Sequence, residues 1–85
     1  MAIVTMRYWA AAKDAAGVPE QRVSADTLGA ALAAVTESDD RARLRAVLAR
    51  SSFLVDGTPV GRRAMETVQL RDGNVIEVLP PFAGG

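Results

Sequence analysis

The chemistry open to this chain is bounded first by what it lacks. Its 85 residues include no cysteine and no histidine. That removes a thiol nucleophile, a disulfide, an imidazole base and the usual zinc ligand sets. Lys13 is the only lysine, and no Gly-x-x-x-x-Gly-Lys phosphate loop is present. Carboxylates could still do acid–base work, but no pair stands apart from the solvated charges. The most distinctive reactive group is the carboxylate of Gly85. A chain this poor in catalytic side chains is not expected to act as an enzyme alone, nor to bind a metal or a cofactor.

Gly85 closes the stretch Val75-Ile76-Glu77-Val78-Leu79-Pro80-Pro81-Phe82-Ala83-Gly84-Gly85. Val75 to Leu79 is β-branched and apolar, which predicts a buried strand. Pro80 and Pro81 stop it, because proline offers no N–H to a ladder and holds φ near the polyproline II value. The prolines divide the chain into a folded domain, 1–79, and an extended tail, 80–85. Such a tail reaches about 20 Å. Gly84 has no Cβ, so the backbone beside Gly85 can pass a narrow slot. A frayed chain end is the bland alternative. A strand, a Pro-Pro stop and then Gly-Gly favours a stalk that presents its terminus to another protein.

The elements that must carry this stalk follow in order. Ile3 to Trp9 alternates as a strand, with Val4, Met6 and Tyr8 on one face and Ile3, Thr5, Arg7 and Trp9 on the other. Ala10 to Ala16 predicts a short helix stopped by Gly17. Gln21 to Ser24 predicts a strand returning antiparallel to the first. Asp26 or Thr27 can cap a helix whose apolar stripe is Leu28, Ala31, Leu32 and Val35. Gly29 in that helix points to a close packing contact. Ser38-Asp39-Asp40 opens a second helix with a stripe of Leu44, Val47 and Leu48. Its arginines, Arg41, Arg43, Arg45 and Arg50, are expected to form a solvated face rather than a docking patch. Phe53 to Val55 predicts a strand, Asp56-Gly57 a tight turn, and Thr58 to Val60 a return that Pro59 marks as an edge. Gly61 to Met65 is expected to be irregular, and Val68 to Leu70 briefly extended. Arg71-Asp72-Gly73-Asn74 turns into the last strand. This order predicts an α+β fold with helices on one face of a mixed sheet.

Ten Arg or Lys balance ten Asp or Glu. This gives no electrostatic case for nucleic acid or for a membrane surface. No apolar run reaches transmembrane length and no signal core follows the N-terminus, so a cytoplasmic protein is expected.

The residues now gathered resemble the MoaD/ThiS family of sulfur carriers, which have a β-grasp (ubiquitin-like) fold. The resemblance is carried by Arg7-Tyr8-Trp9-Ala10-Ala11-Ala12-Lys13-Asp14-Ala15-Ala16-Gly17, by Thr27-Leu28, and by Leu70-Arg71-Asp72-Gly73-Asn74-Val75-Ile76. Pro80-Pro81-Phe82-Ala83-Gly84-Gly85, similar to the family's Pro-Pro-Val-x-Gly-Gly ending, is the most specific part. Two turn residues depart from the pattern: Asn74 stands for the usual Asp, and Asp56 for the usual Asn.

The resemblance implies a mechanism. A carboxylate ionised at neutral pH is a poor electrophile and must be activated. An E1-like adenylating enzyme would consume ATP to make a glycyl adenylate on Gly85. A persulfide sulfur donor would then displace AMP, leaving a thiocarboxylate. Within the family the chain resembles the small subunits of molybdopterin synthase, whose large subunit receives the tail and uses its sulfur in molybdenum cofactor biosynthesis. Carriers for the thiamine thiazole or for cysteine are an alternative, although thiazole carriers tend to lack the helix predicted at Arg41 to Arg50. A protein modifier conjugated through Gly85 to lysines is a second alternative, and a binding module with an incidental Gly-Gly end is a third. The resemblance also makes the first and last strands parallel neighbours. Trp9 and Leu79 would then share the face away from the helices. With Pro59, Pro80, Pro81, Phe82 and Ala83 they form the expected partner interface, anchored by aromatic groups.

Overall fold

The computed structural model describes residues 1–81. Five strands, β1 (Ile3–Tyr8), β2 (Glu20–Ser24), β3 (Ser52–Val55), β4 (Thr58–Pro59) and β5 (Val75–Leu79), form one sheet in the order β2-β1-β5-β3-β4. The two central strands, β1 and β5, run parallel, and every other pair is antiparallel. Three helices, α1 (Ala10–Ala16), α2 (Leu28–Val35) and α3 (Ala42–Leu48), pack through their apolar residues into a single core with the sheet. This is the expected α+β β-grasp architecture.

The alternation read in β1 fixes which face is covered. Val4, Met6 and Tyr8 are buried, and Ile76 and Val78 of β5 join them. Leu28, Ala31 and Val35 of α2 complete the core with Leu44 and Leu48 of α3. Leu32 and Val47, expected in those stripes, are only partly buried against it. The Tyr8 ring lies in this core, and its hydroxyl donates to Gln21 Oε1 (2.9 Å). Burial pushes the Tyr8 pKa up to about 12, with the nearby Arg41 charge opposing it.

Local chemistry sets the element ends. The Thr27 hydroxyl accepts from Ala30 N–H (3.1 Å) and caps α2. Gly17 ends α1 in the left-handed region at φ 80°, its N–H donating to Lys13 O. Gly29 is where α2 meets a 3₁₀ turn at Met65–Thr67; a Cβ there would lie 3.4 Å from Glu66 N. That turn starts at Met65, the last residue of the stretch expected to be irregular, and Glu66 and Thr67 carried no expectation of an element. The next residues, Val68 and Leu70, are buried, and they bracket a single bridge from Gln69 to Thr27.

Two of the arginines after residue 40 do more than form the expected solvated face. A 3₁₀ turn at Asp39–Arg41 precedes α3. Arg41 Nη1–H donates to Ala16 O (3.2 Å) at the end of α1. Arg45 Nη2–H donates to Thr36 O (2.6 Å) at the end of α2. Both guanidiniums supply donors to helix carbonyls that have no intrahelical partner, where the helix dipole also favours a cation. Arg43, Arg45 and Arg50 are exposed as expected, and Arg41 is half-buried.

Candidate functional site

The helix-free face of the sheet is where the predicted interface residues converge. Register lays it out in rows. In one, Glu20 of β2 faces Arg7 of β1, Arg7 faces Glu77 of β5, Glu77 faces Leu54 of β3, and Leu54 faces Pro59 of β4. Because the residue directly opposite shares a face, all five belong to the open side. The next row lies one pleat toward the C-terminal end of β5. There Leu79 faces Ser52, and continuing the β1–β5 register past Tyr8↔Val78 sets Trp9 beside Leu79. The Trp9 N–H donates to Val78 O (3.3 Å), so the chain keeps its strand path through Trp9.

Trp9 is 46% exposed, while Leu54, Glu77, Leu79 and Pro80 are half-buried and Pro59 and Pro81 are exposed. The indole is held in place, since Trp9 Nε1–H donates to Glu77 Oε2 (3.1 Å). At Ala10 the backbone turns away with φ 48°, a left-handed value that costs an alanine about 1–2 kcal/mol. This turn ends the strand and starts α1, leaving Trp9 at the rim of the open face. Arg7, opposite Glu77, is turned the other way, with its Nε 3.8 Å from Glu20 Oε1.

The structure thus brings Trp9 together with Leu79 and the start of the tail at Pro80-Pro81, while Pro59 shares the face but lies on edge strand β4, three strands from β1. Phe82, Ala83, Gly84 and Gly85 lie outside the described residues. Sequence reasoning missed three members of this surface. Leu54 was placed in a strand but on no face; its pairing with Glu77 puts it in the patch. Glu77, which the sequence offers only as part of the last strand, is the acceptor for the Trp9 indole N–H. Val18, 40% exposed, sits across from Trp9 when the β1–β2 register is continued past Arg7↔Glu20. A valine in an α1–β2 connection carries no periodic signal that could have revealed it.

Among the described residues no cluster of three His, Cys, Asp or Glu is arranged to hold a metal ion. No helix is long and apolar enough to cross a membrane. The arrangement can offer a partner an apolar, Trp-anchored surface beside Pro80-Pro81.

The fold is shared with known proteins. The structure is similar to the small archaeal modifier protein 1 from Methanosarcina acetivorans, with a TM-score of 0.83 at 25% identity, covering 100% of this chain and 98% of that one. Small archaeal modifier protein 1 from Haloferax volcanii matches with a TM-score of 0.78 at 21% identity, over 98% of this chain and 99% of that one. A chain from the complex of subunits 1 and 2 of the molybdopterin-converting factor from Helicobacter pylori matches with a TM-score of 0.71 at 23% identity, over 98% of this chain and 99% of that one. No curated protein sequence matches at a significant level. The ThiS family matches residues 6–85, nearly the whole chain with the Gly-Gly end included, and the chain belongs to that family.

Proposed function

We propose that this protein is a cytoplasmic sulfur carrier whose Gly85 carboxylate is loaded as a thiocarboxylate, and that it serves as the small subunit of a molybdopterin synthase. The observation that carries the reading is the family match over residues 6–85, which takes in Pro80-Pro81 and Gly84-Gly85 together with the domain that bears them. Helix α3 favours a molybdopterin role over a thiazole role, because thiazole carriers tend to lack it. The similarity to a subunit of the Helicobacter pylori molybdopterin-converting factor complex points the same way.

Gly85 oxygen attacks the α-phosphorus of ATP on an E1-like enzyme, releasing pyrophosphate and leaving the glycyl adenylate. The outer sulfur of a persulfide attacks the acyl carbon and AMP departs. Cleavage of the resulting S–S bond by a second thiol leaves the thiocarboxylate. The chain contributes position rather than proton transfer: the stalk presents Gly85, Gly84 provides access, and Trp9, Pro59 and Leu79 dock the body. With no internal thiol, the acyl sulfur has no neighbouring cysteine to react with.

A second reading is supported by the similarity to small archaeal modifier protein 1: Gly85 is activated in the same way but joined to a lysine of another protein. The product separates the two. The protein is incubated with an E1-like activating enzyme, ATP and a persulfide donor, then weighed intact by mass spectrometry. A gain of about 16 Da, the replacement of oxygen by sulfur, supports the carrier. Isopeptide-linked conjugates without that species support the modifier.

A further inference from the structure

Glu77 has a consequence for whatever covers the open face. It stands in the middle of the face, with Arg7 and Leu54 directly opposite on either side and Trp9 and Leu79 in the next row. Its Oε2 accepts the Trp9 indole N–H at 3.1 Å. Among the described residues no cation lies within ion-pair distance of its carboxylate. The only ion pair there is Arg7 with Glu20, on the other side of β1. The second carboxylate oxygen has no donor among the described residues, so in the free protein only solvent water can satisfy it. Once a partner excludes that water, one neutral N–H donor does not compensate a buried charge.

From this we infer that the partner of this face presents an arginine to Glu77. The inference rests on the docking role proposed above. It deepens that role by naming the chemistry the partner brings. A guanidinium fits the site better than an ammonium for two reasons. Its planar fork can bond the free carboxylate oxygen while the other remains with the indole. Its flat face can also lie against the Trp9 ring, which Glu77 itself holds at the edge of the site. The surrounding Leu54 and Leu79 exclude water around the pair. In that setting a charge pair discriminates between partners and contributes affinity. Trp9 and Glu77 thus act as one recognition element, with Glu77 also the positioning residue for the indole.

The test uses the full-length protein and the large subunit of molybdopterin synthase, with affinity measured by calorimetry across a salt series. Glu77→Gln keeps an oxygen that can accept the Trp9 N–H and removes only the charge. The expected result is roughly 30-fold weaker binding with a shallower salt dependence, an unchanged melting temperature and an unchanged indole N–H resonance. Glu77→Arg should abolish binding. Wild-type affinity in Glu77→Gln overturns the arginine, and if Trp9→Ala still weakens binding the face itself stands as the docking site. If neither variant weakens binding, the docking role fails as well. Loss of the Glu77→Gln effect in an Arg7→Gln background assigns the cation to Arg7 and also overturns the proposal. Were Glu77→Gln to unfold, a wild-type affinity indifferent to salt would overturn it alone.

Discussion

Asn74 Nδ2–H donates a 2.6 Å hydrogen bond to Asp56 Oδ2, tying the turn before β5 to the turn between β3 and β4. The rest of each side chain is committed too. Asp56 Oδ1 accepts from Val75 N–H (2.8 Å), and Asn74 Oδ1 accepts from Arg71 N–H (2.6 Å). Asp56 also holds φ 49° in the turn, a conformation Asp tolerates better than most residues. These are the two turn residues that the family resemblance reads as departures, and in the fold they meet each other. Here the amide stands at 74 and the carboxylate at 56, an exchange of the two ends that the resemblance implies for this hydrogen bond.

That exchange predicts a reciprocal rescue. Asn74→Asp alone sets two carboxylates against each other and should cost about 1 kcal/mol or more. Asp56→Asn combined with Asn74→Asp restores one donor facing one acceptor and should recover most of the loss. Thermal melts of the two single variants and the double variant give the coupling energy. Additive losses would show that the bond does not matter.

The tail is tested at its end. Adding one residue after Gly85 should abolish adenylation-dependent sulfur loading without altering the melting temperature. Gly84→Ala places a Cβ in the proposed slot and should slow activation or transfer. Mass spectrometry of loading and stopped-time kinetics would check both. Normal loading of the extended chain would reject Gly85 as the handle.

Trp9→Ala should separate binding from stability. With 46% of the residue exposed, the loss of stability should fall well short of the 3–5 kcal/mol typical of a buried aromatic truncation. Affinity for the large subunit should fall by about 2 kcal/mol or more, as for aromatic interface anchors. A folded variant with unaltered affinity would remove Trp9 from the interface.

Tyr8 predicts an alkaline transition. Its pKa rises from 10.0 to about 12 in the fold, chiefly because burial disfavours the phenolate. The native state therefore keeps a proton that the unfolded state loses. The contribution is fully present below pH 10 and disappears as the pH climbs toward 12. Melting temperatures between pH 9 and 12 should fall more steeply for the wild type than for Tyr8→Phe. Parallel profiles would place the alkaline sensitivity elsewhere.

Much of this was legible one element at a time. The alternation of Ile3 to Trp9 named the buried and open faces of β1 correctly, because a strand sends successive side chains to opposite sides whatever its neighbours are. Thr27 as a cap, Gly17 as a stop and Asp56-Gly57 as a turn followed from local backbone chemistry. The two arginines at helix ends did not, because Arg45 and Thr36 meet only after the chain folds back between α2 and α3. A charge every second or fourth residue reads as a solvated face until a carbonyl is brought to it.

By itself the sequence determined the strands, the main helices, the inward set of side chains and the Pro80-Pro81 stop, since these depend on propensity and periodicity. The parallel pairing of β1 with β5 entered through family resemblance, not periodicity. Only the tertiary structure decided what stands beside what on the open face. Trp9 and Glu77 are 68 residues apart in the chain, yet one hydrogen bond joins them. Leu54 enters the patch because β3 lies next to β5 in a particular register. Period-two alternation assigns a residue to a face, but a cross-strand neighbour is set by strand order and register. Those are settled by the global packing of the core.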